Sequence, residues 1–135
     1  RSHIFGFDIN YFNSDLLKAH NASWIKVNEL PLLIFDHNQM VTDAMAALKR
    51  KAATCPVGFN LLPEKFTLPQ LQCLYEAIYQ TPLDKRNFRK KLISMNILEK
   101  LNEKDKEGSR RGAFYYMFNK EKYSHLLELG LYFSL

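Results

Sequence analysis

Residues 84–111, DKRNFRKKLISMNILEKLNEKDKEGSRR, carry the basic charge of this chain. The segment holds ten lysine or arginine residues and five aspartate or glutamate residues, which gives it a net charge of +5. The whole chain of 135 residues also has a net charge of +5, so the charges outside this segment balance. A basic excess that is confined to one segment is typical of a protein that binds a polyanion.

The residues that precede this segment predict a helix and a turn. Thr67 and Gln70 have the spacing of a capping box, in which each residue satisfies a backbone group of the other. Apolar residues then recur at helical spacing across residues 68–80, so we expect a helix with one buried face there. The Thr-Pro-Leu sequence of residues 81–83 ends that helix, because proline cannot continue it and restricts the residue before it.

A second helix is predicted to follow directly, with Asp84 as its N-cap and residues 85–95 as its body. Its apolar residues form a core-facing stripe, which consists of Phe88, Leu92 and Met95. Two helices joined by a short turn constitute a helix-turn-helix motif. We therefore expect a helix-turn-helix over residues 67–95.

Two strands are predicted after this motif, over residues 97–101 and 113–118. The polar residues 102–112 join them as a basic loop that contains Gly108 and Gly112. A helix-turn-helix followed by a two-stranded hairpin with a basic loop is a winged helix. The predicted fold class is therefore α+β, with a winged helix-turn-helix DNA-binding domain.

The second helix is predicted to bind DNA. Because its apolar stripe faces inward, its basic side chains lie on the other faces, and the N-terminal part of such a helix can enter the major groove. Arginine suits pairing with guanine and asparagine suits pairing with adenine. We predict base contacts from Arg86, Asn87 and Arg89, and phosphate contacts from Lys85 and Lys90.

Two neighbouring groups are predicted to contact the DNA backbone. Thr67 and Gln70 open the first helix, where free N–H groups can hold a phosphate. In the wing, Lys104, Arg110 and Arg111, aided by the lysine at position 106, would reach the adjacent backbone or the minor groove.

Each of these residues also has a plainer interpretation. Lysine and arginine on an exposed helix are often only solvated, and Asn87 is more often a surface residue than a reader of adenine. In the wing, Asp105 and Glu107 alternate with lysines and would neutralise them. The combination of capped helix, proline turn, basic helix and basic hairpin is more specific than any one of its members.

The N-terminal part, residues 1–54, is predicted to be separate from the winged helix. Residues 3–7 and 23–27 each have the pattern of a short strand, and two short strands are too few for a stable sheet. A helix is predicted over residues 36–52, where apolar residues recur at helical spacing.

The C-terminal part, residues 55–135, begins with a connector that contains proline and glycine, CPVGFNLLPEKF, where we predict the domain boundary. The chain ends in an apolar tail after Phe118, which is predicted to be either a docking helix or an arm between subunits.

Composition excludes several classes of protein. The chain is 47% hydrophobic and 24% charged, which is ordinary for a globular domain. No run is long and apolar enough to cross a membrane, and the start lacks a signal-peptide pattern, so we expect a cytoplasmic protein. Cys55 and Cys73 have no metal-ligand spacing and are expected to be reduced thiols buried in a core.

No catalytic or cofactor motif stands out in the sequence. The histidines are scattered without metal-ligand spacing, and neither a phosphate-binding loop nor a nucleophile motif is present. Asp36 and His37 stand together at the start of a predicted helix, where a helix cap explains them better than catalysis does. We therefore predict a non-enzymatic protein without a cofactor or a metal.

Two stretches closely resemble one family of regulators. The run GFNLLPEKFTLPQLQCLYEAIYQTPLDKRNFRKKLISMNILEK (58–100), with GSRRGAFYYMF (108–118), is similar to the C-terminal winged-helix domain of Nudix-related transcriptional regulators. The preceding run ASWIKVNELPLLIFDHNQMVTDAMAALKRKA (22–52) looks like the end of the Nudix-like domain of the same proteins. The resemblance implies a winged helix preceded by a partial Nudix-like α/β segment.

The resemblance also implies a function. Such regulators are bacterial repressors of NAD metabolism or of arabinose and other sugar use. They are homodimers that bind palindromic operators and release them when ADP-ribose or a sugar occupies the Nudix-like domain. By the same resemblance, the DNA contacts fall on the second helix of the motif and on the wing arginines, that is, on Lys85, Arg86, Asn87, Arg89, Lys90, Arg110 and Arg111.

The chain departs from this family in its first part. HIFGFDIN (3–10) resembles the first strand of the Nudix-like domain, whereas YFNSDLLKAHN (11–21) resembles a segment near its end, so the middle is missing. The acidic box that binds Mg²⁺ for Nudix hydrolysis is absent from the sequence. Effector binding and hydrolysis therefore do not carry over to this chain.

The prediction is a DNA-binding transcriptional regulator, with repression as the favoured mode, that controls a bacterial operon of sugar (arabinose-like) or NAD metabolism. Its expected partners are a double-stranded palindromic operator, a second copy of the chain and, in the full-length protein, a sugar or ADP-ribose-like effector. No membrane partner is expected. The alternatives are a winged-helix module that binds an acidic protein and, less favoured, a Nudix hydrolase.

Overall fold

The computed structural model describes residues 19–21, 23, 25–106 and 112–135. The contacts divide the chain into two units, Arg1–Ala46 and Ala47–Leu135. This division falls before the boundary predicted after residue 54, because the last turns of the first long helix pack with the second unit. The assignment of two separate domains stays a prediction. The predicted strand at residues 3–7 and the tip of the wing lie outside the described residues.

The first unit contains a short 3₁₀ turn at Val27–Glu29 where a strand was predicted. Ile25 and Lys26 are irregular, so the prediction of a strand over residues 23–27 is wrong. The backbone closes on itself there instead, since the Glu29 N–H donates to the Lys26 carbonyl at 2.9 Å. The alternating pattern of these residues finds no strand partner within the described part of this unit.

The first long helix, α1, spans His37–Thr54. Asn38 stabilises its start, because its Oδ1 accepts a hydrogen bond from the Leu33 N–H at 2.7 Å and its Nδ2 donates to the Pro31 carbonyl at 3.0 Å. The predicted start near residues 36–38 is therefore confirmed, and the helix continues past the predicted end. Ala52, in its last turns, is fully buried.

The second unit contains the predicted helix-turn-helix. A short strand, β1 (Phe66–Thr67), leads into α2 (Leu68–Tyr79), and α3 (Lys85–Ser94) follows after a turn. The capping box is present: Thr67 Oγ1 accepts from the Gln70 N–H at 3.3 Å, and Gln70 Oε1 accepts from the Thr67 N–H at 2.8 Å. Both predicted helices are confirmed to within about one residue at each end.

The wing is an antiparallel hairpin of β2 (Leu98–Asp105) and β3 (Ala113–Phe118). Together with β1 it forms a three-stranded sheet in the order β1-β3-β2, so β3 is central. The two predicted wing strands are confirmed, but β2 continues to Asp105 through residues 102–105, which were predicted to belong to the loop. Sequence patterns did not indicate β1, because two residues are too short to show the alternation of a strand.

The core of the second unit lies between α2, α3 and the sheet. Its fully buried side chains are Phe66, Leu71, Tyr75, Leu92, Ile97 and Phe133. The ring of Phe88 on α3 lies 5.8 Å from the ring of Tyr75 on α2, so the predicted stripes of the two helices meet. This packing confirms a winged helix of the α+β class.

The apolar tail forms a helix, α4 (Lys120–Glu128), and an extended segment. Asn119 caps the helix, since its Oδ1 accepts from the Lys122 N–H at 2.9 Å. Phe133 is 2% exposed in the core, and the Leu135 N–H donates to the Ala53 carbonyl at 3.3 Å. The tail therefore docks on its own domain, as the first of the two alternatives predicted.

The two cysteines differ from the prediction. Both are free thiols, but Cys55 is only half-buried and Cys73 is exposed. Cys73 follows the buried Leu71 by two residues, which turns its side chain away from the buried face of α2. Their expected place in the core is therefore wrong.

Replacing Gly58 with alanine is expected to destabilise the protein by about 1–3 kcal/mol, the usual cost of overpacking a core. An added Cβ would lie 2.6 Å from Cε2 of Tyr75, whose ring is fully buried and has no room to move. Urea unfolding followed by circular dichroism measures the difference in the free energy of unfolding.

Gly130→Ala is the matched control for this substitution. A Cβ there would meet no atom within 4 Å, and only the positive φ of 71° opposes it. Its cost should be that of the left-handed backbone alone, about 1 kcal/mol. Equal stability of Gly58→Ala and the unaltered protein would contradict the proposed contact with Tyr75.

Candidate nucleic-acid interface

A small polar network holds the turn between α2 and α3. Glu76 Oε1 accepts hydrogen bonds from the Leu83 N–H at 2.9 Å and from Gln72 Nε2 at 3.0 Å. Gln72 Nε2 also donates to the Leu83 carbonyl at 3.1 Å. Both backbone groups of Leu83 are thus bound by side chains of α2. The Leu83 N–H, and then Gln72, hold the pKa of the Glu76 carboxyl below its ordinary value.

The backbone around this turn is set by local chemistry. Gln80 ends α2 in the left-handed conformation, with φ of 55°. Pro82 then prevents the helix from continuing. Asp84 starts α3, because its Oδ1 accepts a hydrogen bond from the Asn87 N–H at 2.7 Å. The direction in which α3 leaves the turn is therefore determined at both ends.

Helix α3 presents its basic side chains to solvent. Phe88 and Leu92 are 6% and 0% exposed, and they anchor the helix to the core. Most of the predicted DNA-binding residues of α3 are exposed, namely Lys85, Arg86, Asn87 and Lys90. Lys91, which was not among the predicted contacts, is exposed as well. After the cap at Asp84, no acidic residue occurs in α3.

Arg89 differs from its neighbours on α3. It is half-buried, and its Nε is buried without a hydrogen-bond partner in the described part of the chain. An arginine in this position has its stem against the protein, and its guanidinium retains hydrogen-bonding capacity. Its predicted contact with a base edge is untested and stays a prediction.

At the start of α2, the side chains of Thr67 and Gln70 are less available to bind a phosphate than the sequence predicted. Thr67 is 2% exposed, and its hydroxyl oxygen accepts the hydrogen bond from Gln70 described above. Thr67 therefore acts as a helix cap. Gln70 is exposed, although its Oε1 is occupied by the Thr67 N–H. A phosphate contact at this helix start remains a prediction for Gln70.

The described part of the wing carries two exposed lysines beside one aromatic ring. Lys104 Nζ, a predicted contact, lies 4.5 Å from the centroid of the Phe114 ring. Lys100 Nζ lies 3.7 Å from the same centroid. Sequence reasoning missed Lys100 as a candidate, because its neighbour across the hairpin depends on strand register. Arg110 and Arg111 lie outside the described residues.

Other site chemistries find little support in the described ranges. Within residues 19–21, 23, 25–106 and 112–135 no group of three or more histidine, cysteine, aspartate or glutamate side chains is arranged to hold a metal ion. No helix among the same residues is long and apolar enough to span a membrane.

Comparison with known proteins finds similarity to the second unit. The family profile described as the NrtR DNA-binding winged helix domain matches residues 58–118. A curated relative, the ADPR responsive transcriptional repressor NtrR of Acinetobacter baylyi, is 29% identical over 114 residues, which are 83% of this chain and 45% of the relative. The chain therefore spans less than half the length of that relative.

Two solved structures are similar to this one. Shewanella oneidensis NrtR complexed with a 27mer DNA is 31% identical, with a TM-score of 0.59 over 73% of this chain and 44% of the other. A second structure of Shewanella oneidensis NrtR is 29% identical, with a TM-score of 0.59 over 79% of this chain and 45% of the other.

Replacing Glu76 with glutamine is expected to destabilise the protein at neutral pH and to have less effect in acid. Because the folded state lowers the pKa of Glu76 below 4.5, the stability contributed by the carboxylate is fully present above that value. It is lost as the pH falls through the lowered pKa. Urea unfolding of both proteins from about pH 7 to about pH 3 measures this difference.

Glu64→Gln serves as the control, since it removes the same charge from an exposed residue outside the turn. A stability difference between Glu76→Gln and the unaltered protein that stays constant down to the acid limit would contradict the role given to the carboxylate.

Proposed function

Because residues 58–118 form a winged helix domain of the NrtR family, we propose that this chain is the DNA-binding part of a transcriptional repressor. The observation that carries the proposal is the two-sided character of α3. Its apolar side, with Phe88 and Leu92, is buried, and its basic side is exposed. A helix of this kind fits the major groove of a duplex, where the phosphates attract its charge.

The contacts within α3 divide into two kinds. Arg86, Asn87 and Arg89 are proposed to read base edges, since arginine and asparagine form bidentate hydrogen bonds with guanine and adenine. Lys85 and Lys90 are proposed to bind phosphates, which fixes the register of the helix on the duplex. Four of these five side chains are exposed, which supports their being accessible to a duplex.

Residues outside α3 are proposed to bind the backbone of the same duplex. Gln70 would do so at the start of α2, with Thr67 holding that start in shape. In the wing, Lys104 is proposed to contact phosphates directly, and Arg110 and Arg111 are proposed to reach the neighbouring groove.

The effector and the operator are carried to this chain from its relatives as proposals. The Acinetobacter relative is described as ADPR responsive, which favours ADP-ribose over a sugar as the ligand that releases the DNA. We propose that the complete protein binds a palindromic operator as a homodimer and controls a bacterial operon of NAD or sugar metabolism. A repressor of this kind acts without catalysis, in the cytoplasm.

A second candidate, a protein-interaction module, is favoured by one observation. The tail leaves apolar side chains in solvent, with Leu129, Leu131 and Tyr132 exposed by 62%, 56% and 77%. Under this alternative the basic face of α3 would bind an acidic protein, and DNA of every sequence would bind weakly.

Replacing Arg86 and Arg89 together with alanine is expected to weaken binding to a selected DNA site by about 100-fold or more, since each bidentate pair with a base is worth about 1–3 kcal/mol. The site is obtained by selection of duplexes from a random library with the unaltered chain. Fluorescence anisotropy with the selected duplex, labelled with fluorescein, measures the dissociation constant.

Lys122→Ala removes an exposed charge from α4 and serves as the control, with unchanged affinity expected. Arg89→Lys separates loss of charge from loss of bidentate geometry, and circular dichroism verifies that each variant is folded. Failure of the selection to enrich any sequence would defeat the proposed function. Unchanged binding by the double variant would defeat the role assigned to α3.

A further inference from the structure

The ring of Phe114 holds two ammonium groups at the surface of the wing. Lys100 Nζ and Lys104 Nζ lie 3.7 Å and 4.5 Å from its centroid, within the range of a cation–π contact. Both lysines are exposed, and Phe114 is half-buried. The ring thus gathers two positive charges that remain open to solvent.

The strand register explains how two lysines four residues apart reach one ring. Lys104 pairs with Phe114, and Lys100 pairs with Tyr116. Between these pairs the register is irregular, with residues 101–103 opposite the single Tyr115. In a regular strand, residues four apart are separated by about 13 Å. The irregularity bends β2 and allows both side chains to reach the same ring.

One acidic residue of β2 is already paired with a lysine from outside the hairpin and therefore does not neutralise Lys100 and Lys104. Glu103 lies inside the irregular segment, but its carboxylate is paired with Lys65, whose Nζ is 2.9 Å from each of its oxygens. Lys65 belongs to the loop before β1, so a lysine from outside the hairpin compensates this acid. Glu99 and Asp105 pair with Met117 and Ala113, so alternation along the strands places them on the opposite face of the hairpin from Lys100 and Lys104. Within the described part of β2, the face that carries Phe114 therefore has more positive than negative charge, although Asp105 remains close to Lys104 along the chain.

Two ammonium groups at one ring repel each other, and an anion bound to either of them reduces that repulsion. We propose that Lys100, Lys104 and Phe114 form a clamp for the phosphates of duplex DNA, beside the bases that α3 reads. This inference rests on the proposed function and deepens it by adding Lys100 and Phe114 to the interface. The ring positions the two lysines, and each ammonium group binds one phosphate or both share one.

The position of the clamp in the fold favours DNA as the anion. Strand β2 begins at Leu98, directly after the turn that ends α3, and Ile97 between them is fully buried. The clamp and the basic face of α3 therefore belong to one compact unit. The phosphates of a duplex extend beyond the groove that a helix occupies, so one duplex is long enough to contact both the clamp and the basic face of α3.

The test is the salt dependence of DNA binding. A labelled 27-base-pair duplex of mixed sequence, the length in the Shewanella complex, is titrated with the unaltered chain and with Lys100→Gln, Lys104→Gln and the double variant. The slope of log K against log salt concentration should fall by about 0.9 for each phosphate contact that is lost. The same fall is expected with a duplex selected for sequence, because phosphate contacts carry no sequence information.

Variants of the ring test its positioning role. Phe114→Leu keeps both charges and removes the aromatic face, and a loss of affinity of about threefold is expected, comparable with one exposed cation–π contact. Phe114→Tyr keeps the face and should restore the affinity. Lys122→Gln on α4 is the control for removal of an exposed charge, with an unchanged slope expected.

The outcomes separate this inference from the proposed function. If the unaltered chain binds neither duplex, the proposed function itself fails, and the clamp with it. If the unaltered chain binds DNA and the double lysine variant keeps the same slope, the clamp alone is overturned. Equal affinities of Phe114→Leu and Phe114→Tyr would overturn the role of the ring.

Discussion

The hydrogen bonds from α2 to Leu83 are the constraint on which the interface depends. A turn of this length between two helices can be closed at several angles, and the Glu76 carboxylate with the Gln72 amide selects one by binding both backbone groups of Leu83. These part-buried contacts contribute modestly to the free energy of unfolding. They also set the geometry, because a change at the turn displaces every side chain of α3.

Packing then decides which side of α3 faces outward. Phe88 and Leu92 lie one turn apart and are buried against α2, with the Phe88 ring beside that of Tyr75. Because the helix has 3.6 residues per turn, burial of these two positions directs Arg86 and Lys90 away from the core. The turn thus fixes the direction of the helix axis, and the core fixes the rotation of the helix about that axis.

The features that sequence predicted correctly are those that nearby residues determine. The capping box of Thr67 and Gln70, the Asp84 cap and the stripe of α3 all depend on residues within a few positions of one another. The prediction failed at Cys73, because small apolar residues occur on either face of a helix, and at residues 23–27, because alternation alone supplies no strand partner. The grouping of Lys100 with Phe114 depends on an irregular register between two strands, which no pattern within either strand reveals.

The caps of the two helices also bear on where phosphates can bind. The N-terminus of a helix attracts anions through its free N–H groups and its dipole. At α3 this position is occupied by the Asp84 carboxylate, which accepts the Asn87 N–H and repels a second anion. At α2 the cap is the neutral Thr67, so the dipole there is uncompensated by a charge. In the proposed interface, phosphate contacts near α3 therefore fall to side chains such as Lys85 and Lys90 and to the wing, where one aromatic ring holds two exposed lysines.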